Sequence, residues 1–169
     1  MRYFCVILTF LLATILPATS ATADKAASED AYASLSLLIG DWKREDAPDS
    51  KLTIRFQLTA SGTTIMETWL YEGEPHSLTV YHRDHDTLLA THYCPQGNQP
   101  RMKLVADHNG DTIKFEFMDA TNLLNQDQSH QHALSFKVTE GGALVVRGET
   151  YLSSAGSDVS EMKLVRVTP

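Results

Sequence analysis

From Leu52 onward, apolar and polar residues alternate with a period of two. Leu52, Ile54, Phe56 and Leu58 interleave with Thr53, Arg55, Gln57 and Thr59, the pattern of a strand with one face turned to a core. Ser61-Gly62 ends that run. Ile65 to Tyr71 forms a β-branched and aromatic run, broken at Gly73 to Pro75. Leu78 to Arg83 and Thr87 to Cys94 flank Asp84-His85-Asp86 as a hairpin. Met102, Leu104 and Ala106 lead to Asn109-Gly110, the sharpest hairpin signal in the chain, answered by Ile113, Phe115 and Phe117. Residues 119–129 are polar and irregular. His132, Leu134, Phe136 and Val138 then alternate up to Gly141-Gly142, and Ala143 to Leu152 and Val159 to Val167 complete the series. Roughly nine or ten short strands, with turns about every 8–12 residues, predict an all-β sandwich or barrel.

Two segments before Leu52 have a different period. Tyr32, Leu35, Leu38 and Ile39 have helical spacing and predict one short amphipathic helix, stopped by Gly40. Asp24 to Asp30 is small and polar and is expected to be loose. At the start, Arg2 precedes an almost wholly apolar run from Phe4 to Leu16. Pro17 ends it, and Ala21-Thr22-Ala23 supplies a small-x-small cleavage site. Residues 1–23 are therefore expected to be a secretory signal peptide, leaving residues 24–169 as a single domain. The run is shorter than the ~20 residues of a spanning helix, so no stable membrane insertion is expected after cleavage.

Composition narrows the function. The chain has 169 residues, 43% of them hydrophobic, and a formal charge of −7. Losing residues 1–23 removes one basic residue and no acidic one, which leaves 13 basic against 21 acidic side chains, a formal −8. That balance argues against a nucleic-acid partner, which would need a Lys/Arg surplus over phosphate. Cleavage also removes Cys5, so Cys94 alone remains and no internal disulfide forms. Stability must come from a hydrophobic core, which a chain of this size can build.

Gly40-Asp41-Trp42 follows the predicted helix and opens the strand series. This Gly-x-Trp resembles the barrel entrance of the calycins, which include lipocalins, fatty-acid-binding proteins and nitrobindins. The resemblance implies a Trp packed across a closed bottom and covered by a basic side chain from the final strand. Arg166, which shares parity with Met162 and Leu164, suits that place. A closer resemblance covers residues 35–166. Ile39-Gly40-Asp41-Trp42, Thr79-Val80-Tyr81-His82, Thr91-His92-Tyr93-Cys94 and Gly97-Asn98-Gln99-Pro100-Arg101-Met102 are similar to an exported bacterial family of lipocalin-like proteins. Its members tend to carry Gly at the position of His85, and His-Met-His in place of His130-Gln131-His132. The resemblance implies a barrel and supplies no reaction. With the strand pattern, it predicts an antiparallel up-and-down barrel of about ten strands with a short N-terminal helix.

Four histidines are candidate ligand-binding residues. His130 and His132 share parity with Leu134, Phe136 and Val138 and are expected to face the interior. His82 shares parity with Val80, and His92 with Ala90. A three-residue loop at Asp84-His85-Asp86 puts both histidines on one face, whereas a two-residue loop separates them. The three-residue register gives the cleaner apolar face and is the one expected. His82, His92, His130 and His132 would then line one cavity, with Tyr93 and Asn98 near the rim. They would orient a small, largely apolar molecule, or bind a transition metal or haem iron. A hydrogen-bonded network of neutral histidines is the commoner reason for such burial.

Other residues have weaker claims. Cys94 is a nucleophile candidate beside His92, although a buried thiol more often acts as a small hydrophobe. Glu67, in phase with Ile65 and Trp69, would orient a histidine or act as its acid–base partner in an enzyme. Arg101 is outward if Met102 is inward. His76, His85 and His108 are in or beside turns and are expected to be solvated. Gly-x-Ser-x-Gly, His-Glu-x-x-His, Cys-x-x-Cys and nucleotide-binding glycine motifs are absent from the sequence. An exported binding protein, periplasmic or secreted, is thus expected over an enzyme. A structural module offering residues 119–129 to a protein partner is the other alternative. Protein recovered from the periplasm or medium is expected to begin at Asp24 on N-terminal sequencing; recovery with Met1 intact is the contrary result.

Overall fold

The computed structural model describes residues 19–105, 112–139 and 143–168. Ala106, His108, the expected Asn109-Gly110 and Gly141-Gly142 turns and residues 1–18 of the expected export segment lie outside the described residues. Helix α1 (Thr19–Ser36) precedes β1 (Gly40–Arg44), β2 (Leu52–Thr59), β3 (Thr64–Tyr71), β4 (Glu74–Asp84) and β5 (Thr87–Tyr93). After these come β6 (Gln99–Val105), β7 (Ile113–Thr121), β8 (His130–Val138), β9 (Leu144–Ser153) and β10 (Gly156–Arg166). Each strand pairs antiparallel with its neighbours in sequence, and β1 pairs with β10, so the sheet closes into a ten-stranded up-and-down barrel. Closure gives every strand a partner on both sides.

One end of the barrel is sealed. Trp42 is fully buried, and its indole Nε1 donates to the Leu38 carbonyl at 2.6 Å. The Arg166 guanidinium lies 4.5 Å from the Trp42 ring centroid, and its Nη1 and Nη2 donate to the carbonyls of Ile39 and Leu37, both at 2.6 Å. The expected cap is therefore present. Gly40 makes it possible: its φ is +129°, and a Cβ there would meet Arg166 Nη1 at 2.7 Å. Above the cap, Phe56, Tyr81, Phe115 and Phe136 interlock, with Phe136 at 6.1 Å from both Phe56 and Tyr81 in edge-on contacts.

Helix α1 covers the same end and is longer at its N-terminus than its sequence pattern indicates. Ser28, Ala31, Tyr32 and Leu35 form a buried stripe at helical spacing, and Tyr32 Oη donates to the Gly62 carbonyl at 2.7 Å. Residues 24–30, expected to be loose, are helical because Ala, Lys and Glu favour the helix and small side chains allow close packing on the barrel. The helix ends at Ser36, and Gly40 belongs to β1. The chain reversal expected from Gly73 to Pro75 is the pair Glu72-Gly73, at φ values of 53° and 88°, and β4 begins at once with Glu74.

Two registers depart from expectation. Asp84 pairs with Thr87 around a two-residue turn, His85-Asp86, with His85 at φ 52°. Thr79 and Tyr81, not Val80 and His82, therefore share the inner face with Leu88, Ala90 and His92. Tyr81 explains the choice: its ring packs 5.6 Å from Phe115 and its hydroxyl donates to Glu67, contacts unavailable to Val80. In β8, His132 is the extra residue between Gln131 and Ala133, so Gln131 rather than His132 pairs with Tyr151. Replacing Arg166 with Ala removes the ring contact and two hydrogen bonds to carbonyls. It is expected to lower stability by about 1–3 kcal/mol, read as a reduced urea midpoint at unchanged slope.

Candidate functional site

The turns 72–73 and 154–155 and the loops 94–98 and 122–129 lie at the end of the barrel opposite the Trp42 cap. The loops brace one another. Asn98 Nδ2 donates to the Ser129 carbonyl at 2.8 Å, Asn122 Nδ2 to the Gly97 carbonyl at 2.6 Å, and the Ser154 amide to Asp127 at 2.9 Å. Beneath them is a cavity of about 260 Å³, lined on one side by Trp69, His92 and Cys94 and on the other by Arg147, Glu149 and Tyr151. β9 is five strands away from β4 in either direction around the barrel, so the cavity spans its interior. His76 is the extra residue opposite the Trp69–Leu70 step, and this bulge sets it at the exposed rim.

The cavity floor is charged. Arg147 is fully buried; its Nε donates to Glu67 Oε1 at 2.8 Å and its Nη1 to Glu149 Oε2 at 2.7 Å. Glu67, also fully buried, further accepts from Trp69 Nε1 at 2.7 Å and from the Tyr81 hydroxyl. The Arg147 guanidinium lies 4.8 Å from the Trp69 ring centroid. Burial alone would lower the Arg147 pKa, but the Glu67 and Glu149 carboxylates outweigh it and raise it, so the group stays charged. Among the described residues, Arg147 Nη2 has no hydrogen-bond partner. An orphaned buried donor on a charged group costs about 1–3 kcal/mol or more, which the contacts of Nε and Nη1 with the two carboxylates offset.

His92 is the one predicted histidine that lines this cavity. Its Nδ1 lies 2.9 Å from Thr79 Oγ1, and its Nε2 3.5 Å from Tyr151 Oη. Burial pushes its pKa down from 6.5 to about 4, against a weaker upward pull from Glu67. The imidazole is neutral at pH 7 and serves as a hydrogen-bonding wall. Burial, followed by the Glu149 carboxylate, raises the Tyr151 pKa, which keeps that phenol protonated.

The other three histidines lie elsewhere. His82 is on the outer side of β4, with Nδ1 3.2 Å from the Arg83 carbonyl. β7 and β8 pair only as far as Glu116 and Ala133. Beyond that point His130 and His132 pack on Phe117, with ring centroids at 4.7 and 5.4 Å, and His130 Nδ1 lies 2.8 Å from the Gln128 carbonyl. His130 is 1% exposed, but the β8 bulge gives Gln131, not His130 or His132, the partner Tyr151 on the inner face. Tyr93 is 49% exposed and outward, and Asn98, in the open-end loop 94–98, is buried with its side chain bracing Ser129. Arg101 is outward and paired with Asp119 at 2.5 Å. Cys94 reaches the cavity wall, but neither nitrogen of His92 hydrogen-bonds to it. The Glu67 oxygens are likewise committed to Trp69, Arg147 and Tyr81 rather than to His92.

Arg147, Glu149, Trp69, Tyr81 and Tyr151 were not singled out from sequence. The available signal is that Val145, Arg147, Glu149 and Tyr151 share one parity, placing two charges in phase with an apolar residue. Opposing strands then decide whether those charges are inside.

Fold and site together define a closed antiparallel barrel, capped at one end and hollow and charge-lined at the other. No protein-family model matches the chain, and no curated protein matches it. Among solved structures it is similar to the crystal structure of Rv2717c from M. tuberculosis, with 18% identity over 82% of this chain and 98% of that one, at a TM-score of 0.45.

The folded-state pKa of His92 lies below its unfolded value, so the unfolded chain takes up the proton first as pH falls. The His92 contribution is complete above about pH 6.5 and is lost between there and about pH 4, an effect of about 3 kcal/mol. In urea titrations at stepped pH, His92→Gln is expected to flatten the decline over this window. An unchanged pH dependence would count against a neutral buried imidazole.

Proposed function

We propose that this chain is an exported, lipocalin-like binding protein that takes a small, largely apolar molecule through the open end of the barrel. The observation that carries the reading is the cavity of about 260 Å³ at the open end of the barrel, lined by Trp69, His92, Arg147, Glu149 and Tyr151. Pockets of this kind combine apolar walls with a few placed polar groups that fix orientation. Trp69, Pro95 and Tyr151 supply the apolar surface, while Arg147, Glu149 and His92 supply the polar groups. Support for export rests on the sequence of residues 1–23.

A four-histidine metal or haem site has no comparable support. His82, His130 and His132 do not join His92, and the described residues hold no cluster of three or more His, Cys, Asp or Glu suited to a metal ion. An acid–base enzyme would need His92 and Glu67 in contact, and both are committed elsewhere.

Native mass spectrometry of protein purified from its own source is expected to show a small-molecule adduct that is lost on denaturation. Adding the released material back should change Trp69 fluorescence and leave a Trp69→Phe variant silent, because Trp42 is at the sealed end. No adduct, together with no Trp69 response to source extracts, would overturn the reading.

A further inference from the structure

β10 runs past the strand that closes the barrel. β1 pairs with it only from Leu164 to Arg166, and the last contact is the Glu45 amide on the Lys163 carbonyl at 2.9 Å. Gly156 to Glu161 lie beyond that point and are all exposed, on a strand held from the β9 side alone. The β9–β10 register has no bulge, so hydrogen bonding to β9 falls on alternate residues. Lys163 and Val167 turn their backbone groups to the β1 side, where they meet Glu45 and Asp41. By the same alternation Ser157, Val159 and Glu161 turn their N–H and C=O groups to the open edge. No residue among those described bonds to them there. Three residues thus offer alternating donors and acceptors along an exposed edge, an arrangement that accepts a further strand.

The sequence of the edge selects that strand. Two copies related by a two-fold axis pair only where the segment is its own complement. Centred on Val159, the segment opposes Val159 to Val159, Ser157 to Glu161 and Asp158 to Ser160. The N–H and C=O groups of Ser157, Val159 and Glu161 are then all paired, and the Val159 side chains, 67% exposed in the single chain, meet. Each carboxylate stands opposite a hydroxyl. Centring on Ser160 would leave Ser157 without a partner, because the Lys163 opposite it is taken by β1. Centring on Glu161 would set two carboxylates against each other. We propose that the β10 edge pairs antiparallel with the β10 edge of a second copy of this chain, centred on Val159. The overlap is confined to the half of β10 nearest the turn 154–155 at the open end, and the two strands run in opposite directions. The two barrels therefore extend away from the joint with their open ends toward each other.

Pairing along one edge buries little surface, so the association is weak and concentration decides the state. Sedimentation velocity of the mature protein is expected to pass from monomer to dimer between about 10 µM and about 1 mM. Val159→Pro deletes one edge donor and no bond to β9, and should keep the chain monomeric across that range. Amide exchange in the wild type reads the register directly. Ser157, Val159 and Glu161 should exchange roughly fivefold or more slowly at the high concentration, while Asp158 and Ser160, bonded to β9, stay constant. A monomer at the highest concentration, or a dimer unchanged in folded Val159→Pro, would overturn the proposal. So would dimerisation that leaves exchange at Ser157, Val159 and Glu161 unaltered. If the variant does not fold, the wild-type exchange pattern decides alone.

Discussion

The buried ion pair between Glu67 on β3 and Arg147 on β9 is the constraint around which the upper barrel is arranged. Moving two charges out of water costs several kcal/mol per ion, and attraction between them offsets this only when the remaining hydrogen-bonding positions are filled. The surrounding residues meet most of that demand. Trp69 and Tyr81 donate to Glu67, Glu149 takes a second nitrogen of Arg147, and the Trp69 ring faces the guanidinium. The pair therefore determines which neighbours are polar, which are aromatic, and how deep the hollow runs.

That arrangement divides one barrel into two environments. Below the pair, Phe56, Tyr81, Phe115 and Phe136 pack tightly over the Trp42–Arg166 cap. Above it, strand pairing loosens: β7 and β8 part after Glu116 and Ala133, and bulges occur at His76 and His132. Bulges re-aim side chains and widen a barrel locally. The packed half holds the aromatic core, and the irregular half holds the cavity.

The fold was largely legible in the sequence because a period of two and well-spaced turns determine a barrel through local rules. The Trp42–Arg166 cap was legible for a similar reason, since Gly40 and the parity of β10 are local features, although the resemblance to calycin barrels supplied the pairing. The site was much less legible. Of the candidate ligand-binding residues, only His92 lines the cavity. The His85-Asp86 turn has one residue fewer than expected, and a shift of one residue exchanges the two faces of β4. Leu134 and Phe136 face the core as their alternation requires, but the bulge at His132 breaks that alternation before it reaches His130. Glu67 was noticed from sequence, but its partner is 80 residues away.

The sequence by itself determined an all-β chain with a helix before its first strand and turns spaced closely enough for a barrel. These follow from short-range spacing and composition, which are properties of a few neighbouring residues. The tertiary structure alone decided which face of each strand turned inward and brought Glu67, Arg147, Glu149 and His92 together. Those outcomes depend on register, and register is settled by how side chains from opposite walls of the barrel fill and neutralise their shared interior.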